Sequence, residues 1–97
     1  MRMMLKVKMP VEAGNEAIKS GALAQTMQSM MEAFKPEAAY FYPEDGLRAA
    51  LFVFEMDGSS DIPSIAEPMF MNLGAAIELT PVMNADDLQK GLQQAGY

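Results

Sequence analysis

The densest apolar stretch lies mid-chain, AAYFYPEDGLRAALFVFEM from Ala38 to Met56, and it governs the reading of its flanks. Two runs rich in Tyr, Phe, Val and Leu flank Pro43-Glu44-Asp45-Gly46, where Pro fixes φ and Gly accepts a positive φ. The pattern predicts a β-hairpin. In its second run Ala49, Leu51 and Val53 alternate with Ala50, Phe52 and Phe54, and both sets are apolar. Such a strand wants cover on both faces, and one layer of helices covers only one of them. The other face calls for a second subunit.

The rest of the chain is more regular. From Met4 to Met9, Leu5, Val7 and Met9 alternate with Lys6 and Lys8, which predicts a half-buried strand ended by Pro10. Val11 to Lys35 carries Leu23, Met27, Met30, Met31 and Phe34 as one helical stripe, with Ser20-Gly21 dividing an entry turn capped by Asn15 from the main helix. Lys35-Pro36 ends it. After the hairpin, Asp57 to Asp61 forms a capping turn, and Ile62, Ile65, Ala66, Met69, Phe70 and Leu73 make a second stripe. In that helix Pro63 falls in the first turn, Pro68 should bend it, and Asn72 and Gly74 stop it. Ala75 to Val82 is a fourth strand with Ile77 and Leu79 opposite Glu78 and Thr80, and Asn84 with Asp87 opens a final helix through Leu88 and Leu92.

The order β-α-β-β-α-β with a C-terminal helix is the ferredoxin-like α+β arrangement, one domain over residues 1–97 built on a four-stranded antiparallel sheet with the first and third strands central. A hairpin closed over Pro43 to Gly46 pairs Tyr42 with Leu47, Tyr40 with Ala49 and Phe41 with Arg48. Leu5, Val7, Phe41, Phe52, Phe54, Ile77 and Leu79 form the larger apolar set and belong under the helices. The opposite face holds Lys6, Lys8, Tyr40, Tyr42, Leu51, Val53, Glu55, Glu78 and Thr80, a mixture suited neither to a dry core nor to a solvated surface.

Element order, the two-sided third strand and the fourth strand with its trailing helix (IELTPVMNADDLQKGL) resemble the dimeric α+β barrel superfamily, and SDIPSIAEPMF, Ser60 to Phe70, is similar to a segment of small bacterial proteins of this type. The resemblance implies a homodimer whose two sheets face each other across a cavity. It leaves function open, since such proteins include muconolactone-isomerase-like enzymes, cofactor-independent monooxygenases, peroxidases and ligand-sensing domains.

Composition narrows the chemistry. The chain has neither Cys nor His, which removes thiolate and imidazole nucleophiles, bases and metal ligands, and with them the His-dependent haem branch of the superfamily. No nucleotide-binding or acyl-transfer motif occurs, the aspartates lack EF-hand spacing, and the eleven Met residues fall mostly on core stripes; no cofactor and no metal is expected. A net charge of -6 with scattered basic residues argues against nucleic acid and anionic membranes. Lys6 and Lys8 interrupt any signal-peptide core, no run reaches membrane length, and the chain reads as cytoplasmic.

The expected function is binding of a small apolar or aromatic molecule between the sheets of a homodimer, with Lys6, Lys8, Tyr40, Tyr42, Leu51 and Val53 as ligand-binding candidates. One alternative is a small isomerase or monooxygenase in which Glu55 or Glu78 is the base and Lys8 or Tyr40 stabilises negative charge. The other is a structural dimer with a filled interface. Arg48, beside Phe41 near the turn, is either an anion clamp or a snorkelling surface residue.

Overall fold

A computed structural model describes residues 1–97 as β1 Arg2–Met9, α1 Val11–Ser20, α2 Ala22–Phe34, β2 Ala38–Glu44, β3 Leu47–Glu55, α3 Ile62–Leu73, β4 Ala76–Pro81 and α4 Ala85–Gln94. The strands form one antiparallel sheet in the order β2-β3-β1-β4, with β1 and β3 central as the ferredoxin-like reading requires. No helix is long and apolar enough to cross a membrane.

Period-2 alternation in β1 buries Met3, Leu5, Val7 and Met9 beneath the helices and leaves Lys6 and Lys8 on the open face. The core is densest where α2 and α3 lie over β1 and β3: Leu5, Phe52, Phe54, Ile65, Met69 and Leu73 are fully buried, and Phe34 packs on Phe54 with ring centroids 5.6 Å apart. The helical stripes are narrower than the periodicity predicts. Met31, Ile62 and Phe70 are exposed on the flanks, while Thr26 is buried and its hydroxyl accepts a hydrogen bond from Asn72 Nδ2 at 3.3 Å, joining α2 to α3.

The first helical segment divides at Gly21 (φ 84°), but the piece before it is a full ten-residue helix. Pro10 both ends β1 and occupies the N-cap of α1, because its fixed φ suits a helix start. Asn15 is therefore inside α1 and not at its cap, which corrects that expectation. At the other end of the chain, Asn84 Oδ1 accepts from Asp87 N at 2.8 Å and Asp87 Oδ2 accepts from Asn84 N at 3.1 Å, the expected capping box. In α3 the helix runs on through Pro68 and stops at Gly74, whose φ of 59° ends it in the left-handed region.

The hairpin register also differs from the expected one. β2 continues through Pro43, tolerated because β2 is an edge strand, and the turn is the two-residue Asp45-Gly46 with φ of 53° and 75°. Tyr42 consequently pairs with Ala49, Phe41 with Ala50 and Tyr40 with Leu51. Each partner moves two residues along β3, and a shift of two preserves the side on which every side chain lies. The faces therefore stand as assigned.

Candidate functional site

All the candidate residues of the open face lie on that face, but they do not converge as an acid and base would. Lys6 Nζ donates to Glu44 Oε1 at 3.0 Å, while Lys8 Nζ donates to Asp45 Oδ2 at 3.1 Å and lies 3.5 Å from Glu44 Oε2. Both lysines thus lean toward the hairpin end over Ala49, which is buried although no helix covers it. Hydrogen bonding to Glu44 raises the Lys6 pKa, hydrogen bonding to Asp45 raises that of Lys8, and the bond from Lys6 holds Glu44 below the ordinary carboxylate value. Glu55 accepts from the chain's amino terminus at 2.8 Å instead. Glu78 sits beside Lys6 in register and makes no ion pair. Tyr40 is 65% exposed, and Tyr42, Leu51 and Val53 are half-buried. No cluster of acidic side chains has the geometry to hold a metal ion.

A cavity lies on the other side of the sheet. It measures about 570 Å³ and lies between the β2–β3 hairpin and the α1–α2 elbow, with Val7, Leu23, Met27, Phe41, Ala50 and Arg48 among its walls. Its origin is geometric. Ala39 of the edge strand β2 packs against the core, but nearer the hairpin the helical cover gives out, and Phe41 remains 64% exposed although its ring meets Phe52 edge-on at 5.8 Å. Eleven of the fourteen lining residues are hydrophobic, and Arg48 is the one charged residue among them.

Arg48 is anchored on α1. Its Nη1 donates to Val11 O at 3.3 Å and its Nη2 to Asn15 Oδ1 at 3.0 Å. Gly14 makes room for this, since a Cβ there would lie 2.7 Å from Arg48 Nη1. The sequence reading did not find this cavity. Its available signal was an arginine and a phenylalanine sharing the helix face at the hairpin tip, where the two helical stripes are too few to cover four strands.

These features define a ferredoxin-like α+β fold with a four-stranded antiparallel sheet. No protein-family model and no curated protein matches the sequence. Among solved structures, 5-chloro-2-hydroxyhydroquinone dehydrochlorinase from Burkholderia phenoliruptrix, in complex with 2,5-dihydroxybenzoquinone, superposes with a TM-score of 0.65 at 12% identity, covering 89% of this chain and 97% of that one. A proposed antibiotic biosynthesis monooxygenase from Deinococcus radiodurans has a TM-score of 0.47 at 11% identity, covering 88% of this chain and 95% of that one. A de novo designed ferredoxin-fold protein has a TM-score of 0.45 at 15% identity, with 88% of each chain covered. At these identities the likeness is one of fold.

Proposed function

We propose that the protein is a homodimer that binds a small, largely apolar or aromatic molecule in the cavity between the sheet and the α1–α2 elbow of each subunit. The observation that carries this reading is the cavity itself, about 570 Å³ and walled mainly by hydrophobic residues, a size and lining suited to a small organic ligand. The Burkholderia fold relative was solved in complex with 2,5-dihydroxybenzoquinone, a small, flat cyclic molecule. On the open face the lysines are already neutralised by Glu44 and Asp45, which favours a packing role for that surface over a chemical one. Met4, Tyr42, Leu51 and Val53 supply its half-buried apolar area. α4 adds a further argument for a partner: it has no buried residue, yet Leu88 and Leu92 form an apolar stripe that is 47% and 46% exposed. A second copy of the chain offers cover to both surfaces.

Titration with the neutral fluorophore N-phenyl-1-naphthylamine tests the cavity. Saturable binding of one probe per subunit is expected, and Leu23→Trp, which fills the space, should abolish it. Absence of saturable binding to the native protein, or full binding by the Trp variant, would sink the ligand reading. Sedimentation equilibrium tests the dimer. Leu51→Asp and Tyr40→Asp should each release monomers, the latter at an exposed site the fold does not need. A native protein that is monomeric at tens of micromolar would remove the dimer.

A further inference from the structure

The charge state of the cavity's ligand is written in the surroundings of Arg48, and this step rests on the ligand reading above. Three other basic groups of the sheet, Arg2, Lys6 and Lys8, are each ion-paired with a carboxylate. Arg48 has none: its two protein partners are a carbonyl and an amide oxygen, both neutral, and Glu12 in the same helix turn makes no ion pair with it. The bonds to Val11 and Asn15 hold the guanidinium against Gly14 while leaving its charge uncompensated and its remaining N–H groups free. A free surface arginine would not need a glycine beneath it or two fixed acceptors behind it. The guanidinium is thus pre-positioned as the one charged group of a largely apolar cavity. In addition, α1 starts at the cavity wall with Val11 and has no side chain capping its first N–H groups, so the positive end of its dipole is on the same side.

We propose that the cavity selects organic anions, molecules with a flat or compact apolar body and one acidic group, and that Arg48 clamps that group in bidentate or charge-assisted fashion. Aryl carboxylates and phenolates share this chemistry. Asn15 acts as a positioning residue that keeps the guanidinium turned to the mouth, and the apolar walls take the body of the ligand.

A matched pair of probes tests the assignment: 1-anilinonaphthalene-8-sulfonate carries an anionic group on the scaffold that N-phenyl-1-naphthylamine presents without charge. In Arg48→Met, which keeps the aliphatic stem, the sulfonate should bind at least ~10-fold more weakly, as expected for loss of a hydrogen bond to a charged group, while the neutral probe stays within about twofold. Arg48→Lys should recover part of the sulfonate affinity, because it returns the charge without the planar fork. Equal weakening of both probes would assign Arg48 to packing and overturn the anion clamp, as would unchanged sulfonate binding. In both cases binding of the neutral probe by the native protein would leave the cavity reading standing. Failure of both probes to bind the native protein would overturn the cavity reading and the clamp together.

Discussion

The two ends of the helix-covered face are made of the same kinds of residue and have opposite fates. Over β1 and β3 toward α3, Phe52, Phe54, Ile65 and Met69 are sealed; over the β2 edge, Phe41, Leu23 and Met27 border open volume. Apolar content is equal to the eye, so hydrophobicity alone did not decide which end closed. Cover did. α2 and α3 lie side by side, joined through Thr26 and Asn72, and the pair is narrower than the sheet beneath it. Where a sheet outruns its helices, its apolar face becomes a binding surface without any change of composition.

This contrast is open to attack by substitution. Phe52→Ala should remove about 3–5 kcal/mol from the unfolding free energy, the usual cost of a large aromatic lost from a sealed core. Phe41→Ala should cost less than about 1 kcal/mol, since most of that ring is already in solvent. Urea denaturation of both variants compares them, and equal losses would mean that the β2 end is closed in solution. A finer comparison uses one residue type. Met69→Ala should cost about 2–5 kcal/mol and Met27→Ala clearly less, because Met69 is 1% exposed whereas Met27 is only half-buried and loses less on truncation. Smaller again is Thr26→Val at the α2–α3 seam, with an expected loss of about 0.5–1.5 kcal/mol for one hydrogen bond; a neutral result would show that the helices are held together by packing alone.

The smallest effect concerns the charges of the open face. The Glu44 pKa is depressed by its hydrogen bond from Lys6, so its contribution is present above the ordinary carboxylate pKa and is lost as pH falls through the depressed value. The Lys6 and Lys8 values are raised by their bonds to Glu44 and Asp45, so their contribution is present below the ordinary lysine pKa and is lost as pH rises through the raised values. Between roughly pH 5 and pH 9 the cluster should leave stability flat. Melting curves of the native protein and Glu44→Gln should differ by a constant amount across that window and converge in strong acid. A slope at neutral pH would mean that other groups titrate with folding.

Much of this architecture was legible residue by residue. The alternation of Leu5, Val7 and Met9 with Lys6 and Lys8, the spacing of Ile65, Ala66, Met69 and Leu73, and the reciprocal Asn84–Asp87 cap are local facts, because a strand repeats every two residues, a helix about every 3.6, and a cap spans four. The same periodicities placed every open-face candidate on its correct side. What misled was whatever depended on a junction. Pro43 suggested the end of a strand, but an edge strand accommodates it, so the turn shrank to Asp45-Gly46 and the cross-strand partners moved by two. Asn15 suggested a cap, but Pro10 had already started the helix.

The sequence by itself determined the order of elements and the face on which each side chain lies, since both follow from bonded geometry and side-chain period. Only the tertiary structure decided how far the helical layer reaches across the sheet, and hence that Phe41 borders a cavity and Arg48 lines it without a carboxylate in ion-pair distance. Those properties arise from contacts between residues far apart in the chain, such as Arg48 with Asn15 and Thr26 with Asn72, and no local repeat encodes them.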